Sequence, residues 1–225
     1  MKINIFKLLI TICMMLFVTS TGVGFADDYK LPDGPFPDVP FEHFNSNAIA
    51  VLKIMGVISG DGSTGLFNSD RVLNRAEFAK MIVESMEWST DDVVYSPIFP
   101  DLEDGLWYTK YILKANEMGV LTGTGEGKAE PAKQVLMIEA LAMCLRAYNA
   151  DIPEPQGSQE WYEPYLSVGE NEGVLTTYNI LVSYDQGLPR GGAAQIIYNS
   201  IYRYDFERLM KPELLDPFDL IPDDQ

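Results

Sequence analysis

The stretch FPDVPFEHFNSNAIAVLKIMGVISG, residues 36–60, decides the fold when it is read together with VLNRAEF at 72–78. It has three parts in a fixed order: a Phe-Pro-Asp opening, an apolar run of helical spacing that ends at glycine, and a second helix. The same order recurs with FPDL at 99–102, GVLTG at 119–123 and an apolar run over 135–145. One unit used repeatedly predicts that neighbouring copies bury each other's apolar faces.

A third copy has lost the Phe-Pro-Asp opening but keeps an aromatic residue, a Gly-Val-Leu turn and an arginine before an apolar run. The aromatic residues Phe44, Trp107 and Trp161 each lie 12 positions before the glycine of their turn. This constant interval predicts three repeats, the third degenerate. Their boundaries are 36–90, 99–150 and 158–204.

The order of these motifs resembles the S-layer homology domain, which usually occurs as three tandem copies, and the resemblance covers residues 36 to about 202. It implies a mostly α-helical fold, in which three helix–loop–helix repeats pack as a pseudo-threefold spindle with ligand grooves between neighbouring repeats. It also implies a non-catalytic module that anchors a bacterial surface protein to an anionic, often pyruvylated, cell-wall polysaccharide.

Residues 1–26 read as a secretory signal peptide. Lys2 and Lys7 precede an apolar run over 8–18, and the small residues Gly24 and Ala26 predict cleavage between Ala26 and Asp27. The apolar run is too short for a bilayer span, which needs roughly 20 residues. We therefore expect a secreted chain at the bacterial cell wall, with an N-terminal lead over 27–35 and an acidic tail over 205–225.

The charge of the chain argues against two classes of partner. The signal segment holds two basic residues and no acidic ones, so the remainder has 14 basic and 33 acidic residues and a net charge near −19. Such a surface opposes nucleic acid, whose binding needs neutralised phosphates, and fits poorly with an anionic membrane face. Because the Debye length is about 8 Å at physiological salt, a local arginine pocket can still bind an anionic polymer.

Local signals place the helix ends and the core. The first helix is predicted over 45–55, with Gly56 in the left-handed position that ends a helix. Asn74 with Glu77 three residues later is typical of a capping box at the start of the second helix. Cys144 is the only cysteine beyond the signal segment and lies in an apolar helical run, so we expect a buried thiol and no internal disulfide.

Arg75 and Arg190 are the sharpest candidates for ligand binding. An arginine in the first turn of a helix is electrostatically misplaced, since that end already carries partial positive charge. An anion bound jointly by the guanidinium and by free backbone N–H groups would explain the placement. The alternative is a structural arginine paired with one of the many acids. Met137 stands where repeat 2 would have its arginine, which predicts at most two competent grooves.

Aromatic and glycine positions are the weaker candidates. Trp107, Trp161 and Phe44 could stack on sugar rings, or could serve as core at the start of a helix. Gly60 and Gly123 could let the backbone approach a ligand, or turn geometry alone could explain them.

No residue pattern indicates an enzyme, a metal site or a cofactor. His43 is the only histidine and has no partners placed by motif. Acid pairs such as Glu160 and Glu163 could be read as glycosidase carboxylates, but a chain with 33 acids contains many such pairs. An alternative function remains: a degenerate repeat protein that binds another surface protein, or assembles the surface, without affinity for sugar.

Overall fold

The computed structural model describes residues 33–175 and 183–210. In this part of the chain the regular elements are seven α-helices, with isolated bridges but no strand, so the predicted all-α class is confirmed. The helices are α1 (Ser46–Ile54), α2 (Arg75–Ser85), α3 (Thr109–Glu117), α4 (Met137–Ala147), α5 (Glu163–Asn171), α6 (Arg190–Tyr204) and α7 (Phe206–Leu209).

The local helix signals are confirmed. Helix α1 begins and ends within one residue of its predicted bounds, and Gly56 follows with φ +73°. At the start of α2 the Asn74 side chain accepts a hydrogen bond from the Glu77 amide at 2.8 Å, and the Glu77 carboxylate accepts from the Asn74 amide at 3.0 Å. Both donors of the first turn are therefore satisfied by side chains, as a capping box requires.

The first helix of each predicted repeat packs against the long helix of another predicted repeat. Helix α3 packs against α2, α5 against α4, and α1 against α6, while α2, α4 and α6 contact one another. The two helices of one predicted repeat therefore bury their apolar faces mainly against helices of the other predicted repeats. Cys144 lies fully buried in this core.

Three apolar residues close a ring of backbone hydrogen bonds at the centre. The Leu73 amide donates to the Leu188 carbonyl at 3.0 Å, the Val135 amide to Leu73 at 3.0 Å, and the Leu188 amide to Val135 at 2.9 Å. Each residue precedes one of the long helices and is 0% exposed. The ring relates the three segments in cyclic order, as a pseudo-threefold centre requires; the spindle shape as a whole stays a prediction.

The first amides of the long helices are bound by carbonyls of the neighbouring segment. The Arg75 amide donates to the Lys133 carbonyl, the Met137 amide to Gln186 and the Arg190 amide to Arg71, each at 2.9 Å. A helix leaves its first amides without an intrahelical partner. Here the partner comes from another predicted repeat each time, so the helix starts depend on one another.

The aspartate of each Phe-Pro-Asp motif binds two consecutive backbone amides about 30 residues later. The Asp38 carboxylate accepts from the amides of Phe67 at 2.8 Å and Asn68 at 2.7 Å. The Asp101 carboxylate accepts from Ala129 at 2.8 Å and Glu130 at 2.7 Å. The motif therefore fixes the segment that leads into the long helix of its own repeat.

Several expectations fall outside the described residues: the signal peptide over 1–26, most of the N-terminal lead, and the acidic tail beyond residue 210. In the described ranges, no helix has both the length and the apolar character needed to cross a bilayer.

Candidate functional site

A pocket of about 420 Å³ opens between the loop that follows α1, the first turns of α2 and the start of α6. Residues from all three predicted repeats line it. Among them are Gly60 and Lys80 from repeat 1, Trp107 from repeat 2 and Arg190 from repeat 3. The structure thus brings together three of the residues singled out from the sequence: Arg190, Trp107 and Gly60.

Arg190 is held by contacts on one side of its guanidinium. It forms no ion pair within the described part of the chain. Its Nη2 donates to the Ser59 carbonyl at 2.8 Å, and its guanidinium carbon lies 4.5 Å from the centre of the Phe67 ring. The buried Nε has no hydrogen-bond partner among the described residues. Burial, and then the neighbouring positive charge of Arg71, lower the pKa of Arg190 from its ordinary value. An anion is the ligand that such a group favours.

Two more basic side chains and two acidic ones line the same pocket. Arg71 forms a two-point ion pair with Glu77, with Nη1 and Nη2 at 3.1 and 2.9 Å from the carboxylate oxygens. Lys80 lies one helical turn beyond Glu77. Hydrogen bonds from Ser63 and Thr64 lower the pKa of the exposed Asp61 carboxyl to about 2, so this carboxylate stays charged even in mildly acidic solution. The lining therefore combines three cations with two anions in a strongly acidic chain.

Trp107 presents an accessible indole at the edge of the pocket. Its side chain is 55% exposed, and its ring meets Tyr108 edge-on at 5.4 Å between centroids and Tyr111 at 6.5 Å. The Tyr111 hydroxyl donates to Glu84 at 2.8 Å, and burial with this contact raises the pKa of Tyr111 to about 12. The indole is thus supported from one side and open on the other, an arrangement suited to stacking on a flat apolar surface.

Gly60 has a packing reason to be glycine. A Cβ at this position would lie 2.5 Å from the carbonyl oxygen of Gly65, which is closer than real side chains approach. The loop that forms one wall of the pocket is therefore closed on itself at Gly60. This close approach explains why glycine stands at position 60, and no ligand is needed for the explanation.

Arg75, the other predicted ligand arginine, lies outside this pocket in a closed site. It is 5% exposed, and its Nη1 lies 3.2 Å from Glu139 Oε1. Its Nε donates to the Ala129 carbonyl at 2.9 Å and its Nη2 to Thr122 at 3.3 Å. These contacts match the alternative considered from the sequence, a structural arginine neutralised by an internal acid.

The expectation that free helix-start amides would share the anion is wrong. The amides of Arg75 and Ala76 donate to Lys133 and Pro131, at 2.9 and 3.1 Å. The amides of Arg190 and Gly191 donate to Arg71 and Ser69, both at 2.9 Å. Neighbouring backbone occupies these donors, because the segments interlock around the central ring. At the start of α6, the Arg190 side chain and not these two amides is therefore the group that can bind an anion.

The other sequence candidates lie apart from the pocket lining. Trp161 is 48% exposed and packs edge-on against Tyr162, and Phe44 is 45% exposed and stacks on His43 at 4.6 Å. A Cβ on Gly123 would lie 3.1 Å from the Phe99 ring, so this glycine too has a packing reason. Whether these positions contact ligand remains a prediction.

Sequence reasoning missed Arg71 and Lys80. Arg71 precedes the capping glutamate by six residues, in a turn-rich segment without periodicity, and Lys80 resembles any solvated helix residue. The sequence did hold one sign of a binding site. Three basic residues, Arg71, Arg75 and Lys80, lie close to the capping box in a chain of net charge −17. The glutamate that completes the capping box, Glu77, is also part of the site.

No family model matches the chain, but it is similar to parts of several bacterial proteins. It is 33% identical over 116 residues to an S-layer protein of Bacillus thuringiensis subsp. finitimus, covering 52% of this chain and 14% of that protein. It is 26% identical over 201 residues to a cell surface protein of Thermoanaerobacter kivui, covering 86% of this chain and 24% of that protein.

A further match is an endoglucanase of Bacillus sp. (strain KSM-635), 29% identical over 154 residues, which covers 66% of this chain and 16% of the enzyme. The chain therefore spans less than a quarter of the length of each of these relatives. It is thus similar to one part of an S-layer protein, of a cell surface protein and of an endoglucanase.

Proposed function

We propose that this chain is a secreted bacterial surface protein whose three S-layer-homology-like repeats form a non-catalytic module for an anionic cell-wall polysaccharide. The ligand binds in the pocket beside Arg190, which takes the acidic substituent of the sugar, such as a pyruvyl group. Trp107 stacks on the sugar ring. The similarity to S-layer and cell surface proteins supports a location at the cell wall.

The observation that carries the proposal is the state of Arg190. Its guanidinium lines an open pocket, its Nε is buried without a partner in the described residues, and its pKa is lowered mainly by burial. A buried donor without a partner costs about 1–3 kcal/mol. A carboxylate that enters the pocket removes this cost and forms a charge-assisted hydrogen bond.

The dimensions and the lining also suit a sugar. The volume of about 420 Å³ lies within the range of small-molecule sites, roughly 300–1,000 Å³. An exposed indole at one edge supplies a flat face, and Lys80 adds a second positive charge. We place no ligand contact at Arg75, because its charge is already paired with Glu139.

Isothermal titration with purified wall polysaccharide, and with a synthetic pyruvylated monosaccharide, tests the proposal. Arg190→Ala should weaken binding by about 1.5–3 kcal/mol, the value of a charge-assisted hydrogen bond. Arg203→Ala is the matched control, because Arg203 lies in the same helix, is exposed and pairs with Glu172. Equal affinities of the folded Arg190→Ala variant and the wild type would refute the pocket.

The indole is tested separately. Trp107→Ala should weaken binding, whereas Trp161→Ala, at the corresponding position of the third repeat, should change it little because Trp161 does not line this pocket. Raising the salt concentration should lower the affinity, since screening weakens an interaction between a partly exposed cation and an anion. Salt-independent binding would argue against the ionic contact.

One surface feature favours the second candidate function, a protein-interaction or surface-assembly subunit without sugar affinity. Tyr202, Phe206 and Met210 lie near the end of the described chain and are 57%, 48% and 52% exposed, with the first two rings 5.2 Å apart. Exposed apolar clusters often mark contacts with other proteins. Pull-down with cell-wall sacculi, before and after extraction of the polysaccharide, separates the two functions, because binding that survives extraction favours a protein or peptidoglycan partner.

The glycosidase alternative receives no support from the acid pair considered from the sequence. The Glu163 carboxylate accepts a hydrogen bond from the Glu160 amide at 3.4 Å, so it serves the start of α5. The match to an endoglucanase covers only 16% of that enzyme. Release of reducing sugar from wall polysaccharide by the purified protein would revive the alternative.

A further inference from the structure

Two sites in this chain are built from corresponding residues that are paired differently. Positions 68, 71 and 77 of repeat 1 correspond to positions 130, 133 and 139 of repeat 2. Asn68 and Glu130 both adopt a left-handed backbone, with φ of 59° and 49°, and both amides are bound by the aspartate of the preceding Phe-Pro-Asp motif. The two backbones are therefore in register, and the differences lie in the side chains.

In repeat 2, the capping glutamate neutralises the arginine that enters from the neighbouring repeat. Lys133 pairs with Glu130 at 2.8 Å, and Glu139 is left to pair with Arg75 at 3.2 Å. Glu139 still accepts a hydrogen bond from the Leu136 amide at 3.0 Å. A capping glutamate can thus bind its own helix start and the incoming guanidinium together.

In repeat 1, the corresponding glutamate is bound by Arg71. Both Glu77 oxygens accept from the Arg71 guanidinium, and Asn68, which stands where Glu130 stands, carries no charge that could draw Arg71 away. Arg190, the counterpart of Arg75, forms no ion pair among the described residues. Arg75 is thus paired where the capping glutamate is left to it, and Arg190 is unpaired among the described residues where Arg71 binds the capping glutamate.

We infer that Arg71 is a positioning residue, which holds Glu77 away from Arg190 and so keeps the Arg190 guanidinium available to an anionic ligand. The inference rests on the proposed function and identifies what makes this pocket, and not its counterpart at Arg75, competent. The charged groups that act on Arg190 are Arg71, Glu77 and Asp38. Asp38 is occupied by two backbone amides, so Glu77 is the carboxylate that competes for the guanidinium.

A double-mutant cycle distinguishes positioning from direct contact. The probe is the synthetic pyruvylated monosaccharide, titrated into wild type, Arg71→Ala, Glu77→Gln and the double variant. Glutamine keeps an oxygen for the Asn74 amide but removes the competing charge. Arg71→Ala should lower affinity about tenfold when Glu77 is present, and less than about twofold in the Glu77→Gln background, a coupling typical of interacting residues. An equal loss in both backgrounds would show that Arg71 contacts the ligand itself and would overturn the inference.

Crystal structures of the wild type and of Arg71→Ala provide a readout that needs no ligand. Glu77 within about 4 Å of the Arg190 guanidinium in the variant supports the inference, and Glu77 pointing elsewhere overturns it. This readout also separates two failures. If the wild type binds neither the polysaccharide nor the monosaccharide, the proposed function fails, while the pairing of Glu77 is still decided by the structures. Thermal melts of each variant show that it is folded.

Discussion

Asn45 donates a side-chain hydrogen bond to Gln195 across 150 residues, with 3.1 Å between Nδ2 and Oε1. The two residues are 1% and 5% exposed, and they join the start of α1 to the first half of α6. The contact ties the first described helix to the last long one, so the helix arrangement is closed by a buried polar pair as well as by apolar packing.

Gln195→Leu should lower the free energy of unfolding by about 1–3 kcal/mol, because it removes the buried acceptor from Asn45 while keeping a similar volume. Urea denaturation followed by circular dichroism measures the change. Gln186→Leu, at an exposed position, is the control and should stay within about 0.5 kcal/mol of the wild type. Equal effects of the two substitutions would show that the buried contact contributes nothing.

Arg75→Met should lower the free energy of unfolding by about 3 kcal/mol, since it leaves Glu139 without its guanidinium partner. The double variant Arg75→Met/Glu139→Gln should recover part of this loss. Affinity for the wall polysaccharide should change little in the folded variants. Arg75→Met binding as weakly as Arg190→Ala, with unchanged stability, would reverse the roles assigned here to the two arginines.

Gly60→Ala should destabilise the protein by about 1–3 kcal/mol and weaken ligand binding, because the new methyl group would meet the Gly65 carbonyl in the pocket wall. Gly62→Ala is the matched control, since a Cβ at Gly62 has no atom within 4 Å. Denaturation and titration of both variants measure the two effects. If the two variants behaved alike, the close approach at Gly60 would have no consequence.

Cys144 should not react with a thiol reagent in the native protein, because burial raises the pKa of its thiol to about 12. The unfolded chain has an ordinary thiol pKa near 8.5. Between these values the native state binds one more proton than the unfolded state, so the contribution of this thiol to stability falls as the pH rises. Labelling with a chromogenic disulfide at pH 8 should therefore follow the unfolding reaction, and rapid labelling under native conditions would contradict the buried assignment.

Short-range signals in the sequence predicted the local structure well. Gly56 and the Asn74–Glu77 box act within one helical turn, so neighbouring residues suffice to predict them. The role of the Phe-Pro-Asp motif could not be predicted from neighbouring residues. Asp38 acts on amides about 30 residues away, and nothing near it in sequence shows which backbone donors need an acceptor.

The two arginines show where sequence reasoning about the site reached its limit. Arg75 and Arg190 occupy the same position of a repeated motif, and the motif predicts the same role for both. Their environments differ because of the residues opposite them. Near Arg75, Glu130 binds Lys133 and leaves Glu139 free to pair with the arginine. Near Arg190, the uncharged Asn68 stands at the position of Glu130, and Arg71 binds the glutamate. Such a difference follows from three-dimensional pairing and not from the motif.

The central ring of Leu73, Val135 and Leu188 also has a consequence for durability. The largely exposed segments 87–98 and 150–160 contain none of the residues that form these three backbone hydrogen bonds. A protease that nicks either segment leaves the ring and the interlocked helix starts in place, so the resulting fragments should remain assembled. For the wall-binding function proposed above, a cut in a connecting segment is therefore expected to leave ligand binding intact.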